Sequence, residues 1–317
     1  MTKRSHKRTE QRNLRSRGLD QMTTQELVRA INDEDAKVAV AVRRESNAIA
    51  DAIDTIANAF RRGGRLIYVG AGTSGRLALM DASECPPTFG ISPRMVRALM
   101  AGGRRAFATA VEGAEDSAPQ GERDLKRQRV TPIDVVVGIS ASGSTPYVLG
   151  AARLARSRGA TIIAVTANRN SQLSKLARIS IAPNTGPEIL AGSTRMKAGT
   201  AQKLVLNMLT TGAIVRLGRV YDNWMIDVAL TNEKLRERSL RILEEATGAS
   251  TGEAKRALAQ AKSTRIALIM LKKGASADEA GRLLRRAGGN LRLALNEVSP
   301  KGTKPHQVIK IVKDKHN

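Results

Sequence analysis

Two glycine- and hydroxyl-rich turns bracket a carboxylate-bearing stretch of this chain. The first is Gly70-Ala71-Gly72-Thr73-Ser74-Gly75-Arg76, after the strand-like Arg65-Leu66-Ile67-Tyr68-Val69. The second is Ser140-Ala141-Ser142-Gly143-Ser144-Thr145-Pro146, after Asp134-Val135-Val136-Val137-Gly138-Ile139. A strand, such a turn and a helix start together present backbone N–H groups and hydroxyls to an anion, and the helix dipole adds to the attraction. Between the turns, Asp81-Ala82-Ser83-Glu84-Cys85-Pro86-Pro87-Thr88 and Val111-Glu112-Gly113-Ala114-Glu115-Asp116-Ser117 supply carboxylates. A phosphate cradle beside paired carboxylates suits acid–base chemistry on a phosphorylated small molecule.

Other readings of the same residues are weaker. Gly70, Gly72 and Gly75 spell Gly-x-Gly-x-x-Gly, but a dinucleotide site also wants an acidic residue about 20 positions on. None occurs from Cys85 to Val111. No Gly-Lys-Ser/Thr follows, so the turn is not a Walker loop. A single turn of this type is often only a tight strand–helix connection; a second one, at Ser140 to Thr145, argues for a ligand. Glu84 stands among small and apolar neighbours, with two prolines after it that are expected to deny it a regular helix. That setting suits a general acid, although a helix-terminal surface glutamate would look the same. Its partner is one of Glu112, Glu115, Asp116 or Asp81, and spacing does not choose between them. Cys85 is a poor nucleophile candidate, because the histidines are His6, His306 and His316, all in the tails. The same distribution speaks against a His-ligated metal. Lys197 and Lys203 either touch phosphate or are solvated helix charge.

The elements that must position these groups are legible from periodicity. Strands are expected at about 65–70, 95–100, 134–139, 161–166 and 179–182, with helices at about 74–81, 104–112, 145–158 and 170–177. This alternation implies a parallel sheet flanked by helices, an α/β fold. Both turns then lie at the C-terminal edge of one sheet, where open α/β folds bind ligands. Upstream, Thr23 and Glu26 form a capping-box pattern for a helix over Thr24 to Ile31, and Glu34 to Phe60 reads as one long amphipathic helix. Downstream, Lys197 to Leu217 and Asn223 to Ala246 read as two long helices able to pack on the sheet. Four short helices, at about 251–261, 263–272, 276–287 and 290–296, form a small module. The resulting division is a basic arm over 1–20, an α/β domain over 21–246, a helical module over 247–297 and a basic tail over 298–317.

Composition bounds the rest. The 317 residues are 41% hydrophobic and 26% charged, an ordinary balance for a globular chain. No apolar run approaches the roughly 20 residues of a membrane span. A lone cysteine fits a reducing cytoplasm. The net charge of +24 is high, but aromatic residues are only 2% and offer little to stack on bases. The charge is read as solvated surface and tails, not as a nucleic-acid site. Residues 1–18 and 299–317 combine dense like charge with few apolar side chains. They are expected to be disordered or merely draped, and dispensable for activity.

The two turns resemble those of SIS (sugar isomerase) domains. Three longer segments are more specific: Asp81 to Thr88, Val111 to Ser117, and Gly186-Pro187-Glu188-Ile189-Leu190-Ala191-Gly192-Ser193-Thr194-Arg195-Met196-Lys197. Together with Asn207 and Thr231-Asn232-Glu233-Lys234-Leu235, these resemble the N-acetylmuramic acid 6-phosphate etherases over roughly residues 9 to 297. Glucokinase regulatory proteins share the third segment but carry two SIS domains. The resemblance implies a SIS-type three-layer sandwich with a small C-terminal helical unit similar to a ubiquitin-associated domain. It implies release of D-lactate from N-acetylmuramic acid 6-phosphate in cell-wall sugar recycling. It also implies a cytoplasmic homodimer with its site near the subunit junction, using no metal or other cofactor. Glu84 matches the family's proton donor and Glu115 its other catalytic residue. Gly72, Thr73, Ser74, Ser140, Ser142, Thr145, Ser193 and Lys197 are the expected contacts to the sugar phosphate. Ser144 replaces a longer polar side chain. A SIS-type isomerase and a sugar-phosphate sensor are the rival readings; neither would release lactate.

Overall fold

The computed structural model describes residues 8–227, 230 and 233–296. It consists of two compact units, Met1–Leu217 and Gly218–Asn317. In the first, helices α1 (Thr24–Asp35), α2 (Lys37–Arg43) and α3 (Ser46–Arg61) precede the alternating part. There β1 (Leu66–Gly70), α4 (Gly72–Phe89), β2 (Val96–Met100), α5 (Arg105–Ala108), α6 (Ala118–Arg127) and β3 (Val135–Ile139) follow one another. The unit ends with α7 (Pro146–Ser157), β4 (Thr161–Val165), α8 (Gln172–Leu176), β5 (Ile179–Ile181) and α9 (Lys197–Arg216).

All five strands are parallel, in the order β2-β1-β3-β4-β5. β1 and β3 are buried along their whole length, as Val- and Ile-rich runs covered on both faces must be. α3, α4 and α9 pack together on one side, and α6, α7 and α8 form the layer on the other. The chain leaves β1 toward β2 and leaves β3 toward β4, in opposite directions. The crevice between the ends of β1 and β3 is therefore the topological switch point, the place where such sheets take ligands. Gly70 and Ile139 are register partners there, so the two hydroxyl-rich turns start side by side.

Several expectations need correction. α4 does not stop at residue 81 but runs through Pro86 and Pro87 to Phe89. Ala78, Asp81, Cys85 and Phe89 form a buried stripe at helical spacing. That packing holds the last turns even though each proline removes a helical donor. Gly90, at φ 59°, then ends the helix and donates to the Pro86 carbonyl at 2.9 Å. The expected helix over Glu34 to Phe60 is broken at Ala36 and again at residues 44–45. Glu45 turns inward there, accepts from Ala182 N at 3.1 Å and pairs with Arg169. The 104–112 region holds only the short α5, and α6 was not anticipated, although Ser117 caps it and Pro119 lies in its first turn.

Residues 8–21 are not a free arm. They form three short 3-10 turns, Arg8–Glu10, Leu14–Ser16 and Leu19–Gln21. Asn13 Oδ1 accepts from Arg15 N at 3.0 Å, and its Nδ2 donates to the Pro187 carbonyl at 3.3 Å. Residues 1–7 and the tail from 297 on lie outside the described residues, as do Thr231 and Asn232. The capping box at Thr23 and Glu26 forms as read.

The second unit contains α10 (Glu233–Thr247), α11 (Thr251–Ala261), α12 (Thr264–Lys273), α13 (Ala277–Arg286) and α14 (Leu291–Asn296). α10 was expected on the sheet. Instead Ile242 and Leu243 join Leu258, Leu268 and Leu283 in one apolar cluster. The boundary accordingly falls after Leu217 and not after residue 246.

Candidate active site

The first turn is shaped by its glycines. Gly72 has φ 53°, a left-handed conformation that starts α4 sharply off the strand. A Cβ on Gly70 would stand 2.7 Å from Gly75 N, so the strand end and the helix touch backbone to backbone. These glycines serve the turn and the packing. No side chain caps the start of α4, or that of α7 after Thr145. Both helix N-termini at the switch point therefore keep N–H groups available for an anion.

The second turn is a cluster of hydroxyls. Buried Ser140 accepts from Gly143 N at 3.0 Å, and its Oγ lies 2.9 Å from Thr145 Oγ1 and 3.4 Å from Ser142 Oγ. Ser142 Oγ accepts from Ser144 N at 3.2 Å and from Ser144 Oγ at 3.0 Å. Ser144 thus completes the cluster. Gly143, at φ 65°, is pressed against Ser171 and Thr166, where a Cβ would stand 2.3 Å and 2.8 Å from their side-chain atoms. The hydroxyls of Ser140, Ser142, Ser144 and Thr145 are thus held by one another.

A cavity of about 330 Å³ joins the first turn to the acidic loop. Ala71, Gly72 and Arg76 line one side, and Glu112, Gly113 and Glu115 the other. Arg76 braces this wall, donating from Nε and Nη2 to the carbonyls of Phe107 and Ala106, each at 2.8 Å. Glu112 and Glu115 are both exposed to the cavity side of the loop, so geometry favours the pair over Asp81 but does not separate them. Asp81 is in the core. It accepts from Tyr68 Oη at 2.9 Å and from Thr210 Oγ1 at 3.4 Å, and burial raises its pKa despite those bonds. Cys85 is buried beside it, and burial pushes its thiol up to about 12, which rules it out as a nucleophile.

The signature loop enters from α9. Glu188, almost fully buried, caps that helix: its two carboxylate oxygens accept from Lys197 N at 3.0 Å and Ala198 N at 2.9 Å. Burial raises its pKa, against the pull of those two N–H groups. Ser193 is half-buried on the loop, and its amide donates to the Leu190 carbonyl at 3.0 Å. Gly199 N donates to the Thr194 carbonyl at 3.0 Å, and a Cβ on Gly199 would meet Thr73 Cγ2 at 3.4 Å. The first turn of α9 therefore rests on the first turn of α4. One turn further, Ser74 Oγ donates to Gln202 Oε1 at 2.9 Å.

One expected contact, Lys197, and one expected catalytic residue, Glu84, are placed differently. Lys197 is 1% exposed and its ammonium pairs with buried Glu34, which also pairs with Lys37. Its charge is spent inside the protein and not at the switch point. Glu84 is exposed on the outer face of α4, not enclosed by apolar neighbours. It stands 12 residues beyond Gly72, about 18 Å down the helix axis at 1.5 Å per residue. Gly72, Glu115, Thr73 and Ser74 thus share one edge of the sheet with Ser140, Ser142 and Thr145, while Glu84 of the same chain does not. Sequence reasoning missed Glu188, Gln202 and Glu34. The Gly186-to-Lys197 segment held a signal for the first, a buried-side carboxylate just ahead of a helix start. Among the described residues no group of three or more His, Cys, Asp or Glu side chains is arranged to hold a metal ion. Nor is any helix there long and apolar enough to cross a membrane.

A family model described as the glucokinase regulatory protein N-terminal SIS domain matches residues 48–156. An N-acetylmuramic acid 6-phosphate etherase of Geobacillus thermodenitrificans (strain NG80-2) is 51% identical over 291 residues, 92% of this chain and 99% of that protein. One from Yersinia pestis (strain Pestoides F) is 53% identical over 288 residues, 90% of this chain and 98% of the other. The solved structure of a phosphoheptose isomerase from Francisella tularensis aligns with a TM-score of 0.50 at 18% identity. It covers 61% of this chain and 100% of that one, and the likeness is one of fold: the sheet and its helices are a SIS-type sandwich.

Proposed function

This chain belongs to the N-acetylmuramic acid 6-phosphate etherase family, and we infer that it cleaves the D-lactyl ether of N-acetylmuramic acid 6-phosphate. The products are N-acetylglucosamine 6-phosphate and D-lactate, and the step serves cell-wall amino-sugar recycling. The observation that carries this reading beyond family membership is the cavity that sets an uncapped helix start at Gly72 opposite Glu112 and Glu115. It offers an anion site and a base within one enclosure.

The 6-phosphate is anchored at the switch point by N–H groups of Gly72, Thr73 and Ser74 and by the hydroxyls of Ser140, Ser142 and Thr145, with Ser193 on the neighbouring loop. The anchor does not react; it orients the sugar. When the sugar ring opens, the aldehyde acidifies the proton on carbon 2. Glu115 removes that proton, the carbon 3–oxygen bond breaks, and Glu84 protonates the departing lactate oxygen. Water then adds at carbon 3, giving its proton to Glu84, while Glu115 returns a proton to carbon 2. Each transfer is worth about 10²–10⁴-fold. About 18 Å along α4 exceeds the span from the 6-phosphate to carbon 3 of one sugar. The Glu84 serving a given site is therefore that of a second copy, which makes the homodimer the working form.

The decisive measurement is D-lactate release from N-acetylmuramic acid 6-phosphate, together with deuterium uptake at carbon 2 in heavy water. An isomerase would exchange without releasing lactate. Glu115→Gln is expected to lose both reactions, and Glu84→Gln to lose lactate release while retaining exchange. If Glu112→Gln abolishes exchange and Glu115→Gln does not, the base is Glu112. Loss of one hydrogen bond to the charged phosphate costs about 1.5–3 kcal/mol. Ser142→Ala is accordingly expected to raise the dissociation constant for N-acetylglucosamine 6-phosphate about tenfold or more, and to leave the weak binding of N-acetylglucosamine unchanged. Equal loss for both ligands would place the phosphate elsewhere.

A further inference from the structure

Residues 1–18 were expected to be dispensable, yet within 8–21 Asn13 and Glu10 touch the signature loop. Asn13 is the junction. Its Oδ1 caps the Leu14–Ser16 turn through Arg15 N, and its Nδ2 reaches across to the carbonyl of Pro187. The same side chain helps to hold Glu34 ionised. Three residues upstream, Glu10 Oε2 lies against Gly192, 3.3 Å from where a Cβ would stand. Thr9 is 5% exposed in a segment that carries few apolar side chains. The segment and the loop also share the walls of a cavity of about 430 Å³, between Arg12, Asn13 and Ser16 on one side and Ile189 to Ala191 on the other.

From Pro187 the path into the site is short and continuous. Glu188, the next residue, holds the first N–H groups of α9. Glu34, on which Asn13 also acts, pairs with the Lys197 ammonium at the same helix start. Gly199 then rests on Thr73, and Gln202 takes the Ser74 hydroxyl. Both routes from Asn13 converge on the first turn of α9, and that turn backs the proposed phosphate cradle. Contacts of this kind couple two places only if one shifts the other.

We propose that Asn13 is a positioning residue for the reaction: it clasps residues 8–21 to the Gly186–Lys197 loop and so holds the first turn of α9 against Thr73 and Ser74. The proposal rests on the reading of that cradle as the phosphate site. Two substitutions separate the clasp from the local turn. Asn13→Asp keeps the acceptor for Arg15 N but sets a carboxylate against the Pro187 carbonyl and Glu34. Asn13→Gln keeps a donor on a longer arm. Misplacement of a site by about 1 Å can cost on the order of a hundredfold in rate.

The test uses the full chain and measures kcat and KM for lactate release, melting temperature, and amide hydrogen exchange over residues 8–21 and 186–199. Asn13→Asp is expected to lower kcat/KM by about ten- to a hundredfold, to speed exchange in both segments, and to leave the melting temperature near that of the parent. Asn13→Gln is expected to fall between the two. The proposal is overturned if Asn13→Asp keeps parental kcat and KM, if exchange rises over 8–21 alone, or if the Asp and Gln variants lose activity equally. If the parent releases no lactate, the functional reading fails by itself. The clasp is then judged on exchange: it stands if Asn13→Asp loosens 186–199 and falls if it does not.

Discussion

Mixing Glu84→Gln subunits with Glu115→Gln subunits is expected to restore lactate release, although each variant alone is inactive. In a two-fold dimer that builds each site from Glu115 of one copy and Glu84 of the other, a hybrid has one intact site and one doubly substituted site. Random exchange at equal amounts makes half the dimers hybrids, so about one quarter of the parental activity should return. This division of the site follows from the length of α4. Gly72 starts that helix at the ligand-binding edge, and Glu84 stands about 18 Å along it on an exposed face. The control is a mixture of Glu84→Gln with the double variant Glu84→Gln/Glu115→Gln, which contains no intact pair in any combination. If the first mixture stays as inactive as its components after subunit exchange has been verified, both carboxylates act within one chain and the proposed division of the site is wrong.

Lys197→Met is expected to be among the most destabilising single changes in the first unit, by roughly 3–5 kcal/mol. Lys197 and Glu34 are both buried, and removing the ammonium leaves a carboxylate in the interior with only half-exposed Lys37 to answer it. Replacing both partners by apolar side chains, as in Glu34→Leu/Lys197→Met, should recover most of the loss, because no charge is then stranded. The pH dependence gives an independent check. Burial alone would raise the Glu34 pKa, but Lys197 and Lys37 outweigh it and hold the group at about 2, below its ordinary 4.5. A depressed carboxylate contributes its full stability above the unfolded value and loses it as pH falls toward the folded one. The parent should therefore lose this contribution between about pH 4.5 and 2. The gap between parent and Lys197→Met should narrow across the same window. Denaturant titrations at pH 7 and pH 3.5 would show it; a gap that is constant or widens toward pH 3.5 would contradict the assignment.

The parts of the fold that follow local rules were legible. Strands β1 to β5 lie within a residue of where their Val and Ile runs put them. The Thr23 cap and α11 to α14 also fall where polar caps and glycine breaks mark them. The two turns could be read as a pair because strand, hydroxyl-rich turn and helix start are contiguous in sequence. α4 could have been traced further: Ala78, Asp81, Cys85 and Phe89 keep helical spacing past the point where Pro86 and Pro87 suggest a stop. The rule about proline is a cost, and burial of Cys85 and Phe89 offsets it.

What the chain alone determined, then, is its parallel α/β frame, the two turns at the switch point and, through three unbroken segments, its family. What only the tertiary structure decided is which charged side chains face inward and which elements share a layer. Nothing near Lys197 in sequence announces Glu34, which is 163 positions away. Nothing near Asn13 announces Pro187, 174 positions away. Local propensity and periodicity are properties of a few consecutive residues, and one chain can be read for them. Burial of a charge depends on whether packing delivers a partner of opposite sign, and that partner is chosen by the fold as a whole.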